Sequence, residues 1–261
     1  MSDPVLTFDH VALSLATQER RGGGSKKQRI RRLAGESKRV NVDVLSDVSF
    51  SIAPGESVAL VTREKRLRIV TTRLASGSML PDAGTVTRTV DAVAIRALSR
   101  VTRRRMTVRQ NIYLMGGLLG LSPEFITEHL SEIVELGRVK AGLDKYLYTV
   151  GKSVGSRLAD AIMVVASPGL VTVEQSLFSG GNSEHTLELY DRMRSNGTAF
   201  LLCVEDFMQA RSFCESAFLI EDGVSTELMS VPDAIARVRD AEPGEIDDEP
   251  YEEEDEDDDD Y

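Results

Sequence analysis

Residues 62–70, with the sequence TREKRLRIV, lie where the chemistry of a phosphate site would be expected. They follow an apolar run, residues 57–61, that predicts a buried strand, and they lead into a predicted helix. A glycine-rich loop at such a junction points successive backbone N–H groups at a phosphate. This segment contains no glycine, although Arg63, Lys65 and Arg68 are among four bases that attract an anion. The residue types therefore predict a strand–loop–helix junction without the usual phosphate cradle.

The charge of the chain is divided between a body and a tail. The sequence has 31 Lys and Arg against 42 Asp and Glu, a net charge of −11. Residues 240–261 hold 15 of these acids and no base, which leaves 27 acids against 31 bases elsewhere. Such a tail repels itself and has little to bury, so we expect it to be disordered. The body is then a mildly basic domain.

The cysteine content and the hydropathy of the chain favour a cytosolic location. Cys203 and Cys214 are the two cysteines, and their spacing predicts neither a disulfide framework nor a metal site. The N-terminal sequence lacks the basic leader and apolar core of a signal peptide. No stretch reaches the roughly 20 apolar residues that cross a bilayer. We therefore expect any contact with a membrane to be peripheral.

Alternating strand and helix patterns predict an α/β fold. The apolar runs that indicate strands are residues 4–16, 44–52, 57–61, 169–173 and 199–204, with a strand pair or ribbon at 85–95. Helical spacing follows at 107–121 and at 122–136, where Ser122 and Pro123 form a helix start signal. Strands that are apolar on both faces and alternate with helices imply a mostly parallel sheet.

Residues 18–39 are basic, glycine-rich and without an apolar stripe. This composition predicts a solvated loop or insertion. A second interpretation is contact with anionic lipid headgroups, which attract clustered Lys and Arg by roughly 1 kcal/mol each. Binding to nucleic acid is not predicted, because no aromatic residues interleave with the bases to stack on nucleotides.

Four segments in order resemble the nucleotide-binding subunits of ABC transporters, in the branch that exports polysaccharides, teichoic acids and O-antigens. They are LSDVSFSIAPGESVAL, LPDAGTV, TVRQNIYLMGGLLGLSPEFI and CESAFLIEDG. The resemblance covers roughly residues 4–238. It implies a P-loop NTPase-like domain over residues 1–239, with a mostly parallel sheet core, an antiparallel β part and a helical subdomain at about 100–160, followed by the acidic tail.

The Walker A loop of that family falls on residues 62–70 when the count runs without a gap from Gly55 to Gly84. Its counterparts here are Thr62, Arg63, Glu64, Lys65, Arg66, Leu67, Arg68, Ile69 and Val70. Arg68 replaces the lysine that reaches the β- and γ-phosphates, and Ile69 replaces the hydroxyl that holds Mg²⁺. Side chains at the glycine positions disfavour the backbone conformations that glycine accepts freely. We therefore predict no cofactor: the chain is not expected to bind ATP or Mg²⁺ on its own.

The other sites of the family are also substituted. At the Walker B strand, Glu174 replaces the aspartate that acts on Mg²⁺, and Gln175 replaces the glutamate that orients the attacking water. Glutamine cannot accept a proton, so hydrolysis is not expected. The switch histidine corresponds to Glu205, or to Val204 if the register slips by one. Leu15 stands where an aromatic residue would stack on adenine. No catalytic residue and no metal ligand is intact.

The signature motif, which contacts the nucleotide of a partner domain in this family, falls within residues 148–161. The sequence YTVGKSVGSRLADA keeps glycines but carries an apparent insertion and no SGG. A literal SGG occurs at 179–181, after the Walker B strand instead of before it, and it is interpreted as a loop. Residues 148–161 are therefore the damaged counterpart of the signature.

These substitutions predict a degenerate, ATPase-inactive subunit of a polysaccharide-export ABC transporter. The resemblance implies partners: a transmembrane permease, received in a groove near residues 100–140, and a second nucleotide-binding domain in a homo- or heterodimer. It places the protein on the cytoplasmic face of the membrane. The alternative is a stand-alone adaptor that binds proteins or an anionic membrane through residues 18–39 and the tail. An active ATPase that uses unusual residues is a third hypothesis.

Overall fold

The computed structural model describes residues 3–18, 39–139, 142–151, 153–177 and 183–240. The predictions for the insertion at 18–39 and for the acidic tail lie almost wholly outside these residues. The SGG at 179–181 lies outside them as well.

The described elements alternate between strands and helices along much of the chain. The strands are β1 Leu6–Gln18, β2 Arg39–Ile52, β3 Ser57–Leu60, β4 Ala83–Arg88, β5 Ala92–Ala94, β6 Leu170–Gln175, β7 Ala199–Val204, β8 Ser216–Phe218, β9 Ile220–Glu221, β10 Val224–Ser225 and β11 Met229–Ser230. The helices are α1 Lys65–Ser76, α2 Ile95–Arg100, α3 Val108–Leu118, α4 Pro123–Glu128, α5 Leu130–Leu136, α6 Leu147–Val150, α7 Val154–Ala166, α8 Ser183–Ser195, α9 Phe207–Phe213 and α10 Val231–Asp240.

A six-stranded sheet in the order β11-β8-β3-β7-β6-β5 forms the centre of the molecule. Among its described pairings, only that of β11 with β8 is antiparallel. Val58 of β3 aligns with Leu201 of β7, and Glu174 of β6 aligns with Cys203 of β7. The mostly parallel core predicted from the strand and helix pattern is confirmed. This register brings the carboxyl ends of β3, β6 and β7 to one edge.

A five-stranded sheet in the order β4-β1-β2-β10-β9 lies beside it and is mainly antiparallel. The predicted strand region at 85–95 divides between the two sheets. β4 pairs with β1 in the antiparallel sheet, whereas β5 pairs with β6 in the parallel one. Residues 89–91 connect β4 to β5, and the chain passes from the antiparallel sheet to the parallel sheet at these residues.

Apolar side chains fill both faces of the parallel sheet. One face contributes Leu201 to a core shared with α1 and the antiparallel sheet, where the rings of Phe8, Phe50 and Phe218 stack in series at 4.5 and 4.4 Å. The opposite face contributes Leu202 to a core shared with the helices. Successive strand residues point to opposite faces, so an unbroken apolar strand supplies both cores.

Two helices, α3 and α4, begin at residues whose side chains cap them. Thr107 accepts the N–H of Gln110 at 3.2 Å, and the Gln110 side chain accepts the N–H of Thr107 at 2.8 Å, which forms a capping box. Ser122 caps α4 in the same way that its sequence predicts. The single helix predicted over 122–136 is divided at His129, whose ring stacks on Phe125 and hydrogen-bonds the Phe125 carbonyl at 2.9 Å.

Candidate functional site

The loop between β3 and α1 is shorter than a wrapped phosphate loop. Helix α1 begins at Lys65, and Glu64 is its N-cap in an extended conformation without a capping side-chain hydrogen bond. The N–H of Arg68 donates to the carbonyl of Glu64 at 3.3 Å. A backbone N–H used within the helix is not available to a phosphate. Most of the Walker A counterpart is therefore the first turns of a regular helix.

Arg68 is turned back beneath this loop and is only 4% exposed. Its Nη1 donates to the carbonyls of Thr62 and Arg63 at 3.2 and 3.1 Å. Its Nη2 lies 3.8 Å from Oε2 of Glu205, and its buried Nε has no hydrogen-bond partner among the described residues. The guanidinium thus ties the loop to its own helix and faces the switch counterpart.

The ends of two neighbouring strands complete the site. Glu174 is half-buried at the end of β6, next to Gln175, and Glu205 follows directly after β7. The fold therefore brings the loop after β3, Glu174 and Glu205 to one edge of the parallel sheet. Burial raises the pKa of the neighbouring Cys203 thiol to about 12, so this group stays neutral. What the structure brings together is a set of charged side chains beside a helix start.

Two buried threonines at this site were missed by the sequence reasoning. Thr71 of α1 and Thr172 of β6 are buried, and neither hydroxyl has a hydrogen-bond partner among the described residues. Thr72, by contrast, donates to the Arg68 carbonyl at 2.7 Å. The signal in the sequence was a polar residue at an apolar position of the helix and of the strand.

The adenine and signature counterparts lie apart from the loop in the chain. Leu15 is half-buried on β1, opposite Val42 of β2, and it packs against the core of the antiparallel sheet. Residues 148–161 run from α6 through Gly151, which has a φ of 111°, into α7. Arg157 stabilises this turn by donating to Ser153 Oγ at 2.6 Å and to the Gly137 carbonyl at 3.0 Å. The described parts of the segment, 148–151 and 153–161, thus end one short helix and begin the next.

A buried polar pair that includes one residue of the signature counterpart was also not anticipated. Asp160 of α7 is 3% exposed and accepts the Tyr190 hydroxyl of α8 at 2.6 Å. Burial raises the pKa of Asp160 to about 6, although Tyr190, His185 and Thr186 partly oppose that rise. Burial and the carboxylate together raise the pKa of Tyr190 well above its usual value. The pair therefore places an ionisable carboxyl group in the contact between α7 and α8.

The described residues contain no group of three His, Cys, Asp or Glu side chains placed to hold a metal ion. Within the same residues, no helix is both long enough and apolar enough to span a membrane.

The loop does not fit a triphosphate in the way a glycine-rich cradle does. The Arg68 N–H is engaged within the helix, and the Arg68 guanidinium is engaged by the loop carbonyls. Arg63, Lys65 and Arg66 supply positive charge at the helix N-terminus, where an anion is favoured. The charge suits a phosphate, whereas the backbone of this segment does not wrap one.

No protein-family model matches the chain. Its sequence is 27% identical over 198 residues to the teichoic acids export ATP-binding protein TagH of Bacillus anthracis, covering 73% of this chain and 35% of that protein. It is 22% identical over 227 residues to the O-antigen export system ATP-binding protein RfbB of Klebsiella pneumoniae, covering 84% of this chain and 91% of that protein. The chain thus spans about a third of the first relative and nearly all of the second.

Solved structures show the same fold. The structure of an ATP binding subunit of an ABC transporter superposes with a TM-score of 0.66 at 18% identity, covering 91% of this chain and 95% of that one. A dimeric ATP-binding cassette in a post-hydrolysis state, bound to ADP and Pi, superposes with a TM-score of 0.63 at 13% identity, covering 87% and 98%. The predicted fold of an ABC nucleotide-binding domain is confirmed. So is the resemblance to the export branch.

The prediction of no cofactor is wrong. The relatives to which the sequence is similar are named as ATP-binding proteins, and one structural neighbour was solved with ADP and Pi. That prediction was derived from the side chains of one loop, and such side chains do not report what other surfaces contribute to a nucleotide.

Proposed function

We propose that the chain is the ATP-binding-cassette subunit of an ABC transporter that exports a polysaccharide, a teichoic acid or a related polymer. The match with RfbB carries this proposal, because it extends over 84% of this chain and 91% of a complete export ATP-binding protein. In this role the chain lies at the cytoplasmic face of the membrane. It binds a transmembrane permease through the helical region near residues 100–140 and pairs with a second nucleotide-binding domain.

We further propose that ATP is the nucleotide of this assembly and that the chain does not hydrolyse it at its own β6 strand end. Gln175 cannot take a proton from an attacking water. Ile69 carries no hydroxyl for Mg²⁺, and Arg68 is held by loop carbonyls. In this proposal the chain binds ATP without hydrolysing it and contributes residues 148–161 to a nucleotide shared with the second domain.

Binding and hydrolysis are tested separately with the purified chain and with the complex it forms in membranes. A thermal-shift titration with Mg·ATP reports binding, since a ligand at 100 times its Kd stabilises a fold by about 2.7 kcal/mol. Phosphate release is expected from the complex but not from the chain alone, and Gln175→Ala is expected to leave the release unchanged. Phosphate release by the chain alone that disappears in Gln175→Ala refutes the hydrolysis proposal. A membrane pull-down that recovers neither a permease nor a second ATPase contradicts the transporter role.

The second candidate is an adaptor that uses the fold without transport. What favours it is the internal engagement of Arg68, which leaves the loop held by the protein's own groups. The insertion at 18–39 and the acidic tail then carry the interactions, including contact of the insertion with anionic lipid. Removing residues 241–261 separates the two functions, because only the adaptor role requires a large loss of partner or vesicle binding.

A further inference from the structure

A basic and aromatic surface lies where the segment before α3 meets the segment before α6. Its exposed side chains are either basic, from Arg and Lys, or aromatic, from Tyr. We call it the basic–aromatic surface, and it consists of Arg103, Arg104, Arg105, Lys145, Tyr146 and Tyr148, with Met106 beside them.

Backbone hydrogen bonds hold the two segments together. The N–H of Leu147 donates to the Met106 carbonyl at 2.9 Å, and that of Tyr148 donates to the Arg104 carbonyl at 3.1 Å. The N–H of Val108 donates to the Lys145 carbonyl at 2.9 Å. Each segment therefore fixes the position of the other, and the surface is built before anything binds to it.

The composition of this surface is that of a binding site. The rings of Tyr146 and Tyr148 are 49% and 55% exposed and stack on each other with centroids 5.7 Å apart. Arg, Tyr and Met are enriched at the centres of protein interfaces. The neighbouring acid, Asp144, already accepts from Arg109 Nε at 3.0 Å. Neither Arg103 nor Arg104 forms an ion pair with a described residue, so their charge is available to an anion.

The same chain carries a polyanion that can reach this surface. Residues 241–261 hold 14 acids, no base and two tyrosines. They leave from the exposed end of α10, and 21 extended residues span about 70 Å. A domain of this length measures on the order of 50 Å across. A tethered anion is also present at a high effective concentration beside its own surface.

We propose that the acidic tail, residues 241–261, docks on the basic–aromatic surface of its own chain. Its carboxylates meet Arg103, Arg104 and Lys145, and its tyrosines lie against the exposed aromatic pair. A nucleic acid is disfavoured as the occupant, because the net charge of −11 repels it and the tail competes within the same molecule. The consequence for transport rests on the proposed function: a docked tail covers part of the region near residues 100–140 that the permease would contact.

Zero-length carbodiimide coupling of the full chain tests the proposal, since it joins a lysine amine to a carboxylate only when the two touch. Mass spectrometry of the dilute monomer is expected to find an amide between Lys145 and an acid of the tail, and 1 M salt is expected to abolish it. Arg103→Ser/Arg104→Ser should lower this yield about fivefold, the loss expected for two exposed charge pairs. The matched control Arg63→Ser/Arg66→Ser removes equal charge from the α1 start and should leave the yield unchanged.

Two results overturn the proposal. One is coupling of the tail to Lys26, Lys27 or Lys38 of the insertion with none to Lys145. The other is equal yields in the two double variants, which would show an attraction that depends on total charge alone. Binding of single-stranded DNA to the full chain that is lost in Arg103→Ser/Arg104→Ser, with no tail coupling, would assign the surface to nucleic acid instead. The coupling experiments use the purified chain alone, so their outcomes do not depend on whether the chain serves a transporter.

Discussion

The buried carboxyl of Asp160 makes the stability of the protein fall as pH rises. Its pKa is raised to about 6 in the folded chain, whereas an exposed aspartate has a pKa of about 3.9. Between these values the folded state binds more protons than the unfolded state, so stability decreases with pH through this window. The shift predicts a cost of ionisation of about 1–2 kcal/mol at pH 5 and about 3 kcal/mol at pH 7.5.

Asp160→Asn removes this titration and keeps an oxygen for the Tyr190 hydroxyl. The free energy of unfolding, measured in urea at pH 5 and pH 7.5, should therefore change differently in the two proteins. Relative to wild type, the variant should gain about 1 kcal/mol between the two pH values, whatever its absolute stability.

His185 contributes to the field at Asp160, so the comparison is repeated in a His185→Gln background. The other groups that face Asp160, Tyr190 and Thr186, do not titrate between pH 5 and 7.5. If wild type and Asp160→Asn keep a constant difference at both pH values in both backgrounds, the pKa of Asp160 is not raised in the folded chain. The reasoning from burial would then be refuted.

Three further substitutions test contacts elsewhere, each by urea unfolding at pH 7.5. Thr107→Ala removes the capping box of α3 and should cost about 1 kcal/mol, whereas Thr107→Ser should restore most of it. Gly84→Ala should lower the free energy of unfolding by more than about 2 kcal/mol, because Gly84 has a φ of 77° and an added Cβ would overlap the His10 carbonyl. A loss below about 0.5 kcal/mol would contradict that geometry. Arg68→Met leaves two loop carbonyls without their donor and should lower the free energy of unfolding by about 1–2 kcal/mol. Glu205→Gln changes a side chain that is 77% exposed and should alter stability by less than about 0.5 kcal/mol. The reverse order would show that the ion pair, and not the carbonyl contacts, holds Arg68.

The framework of the fold could be predicted because its signals are local and repeated. Apolar runs such as residues 199–204 give strands buried on both faces, and Ser122 with Pro123 starts a helix where predicted. The division of residues 85–95 between two sheets could not be read in this way. Both halves are short strands, and only their distant partners, β1 and β6, decide which sheet each joins.

The candidate site was predictable in its position but not in its internal contacts. The count from Gly55 to Gly84 assigned Arg68 to the segment after the strand at 57–61, whereas its proximity to Glu205 follows from a strand order that the structure shows. That Arg68 turns back on the carbonyls of Thr62 and Arg63 depends on where α1 begins, and helix starts without a capping side chain are poorly marked in sequence. Asp160 was missed because a single acid in an apolar helix gives no sign of a partner 30 residues away.

The connection between the two sheets at residues 89–91 packs tightly against the start of β6. The N–H of Leu170 donates to the Asp91 carbonyl at 3.1 Å, and Val90 fills the space where a side chain on Gly169 would have to go. Leu170 begins the strand that ends at Glu174 and Gln175. A side chain larger than hydrogen at Gly169 would therefore push Val90 away at the start of the strand whose far end carries the charged residues.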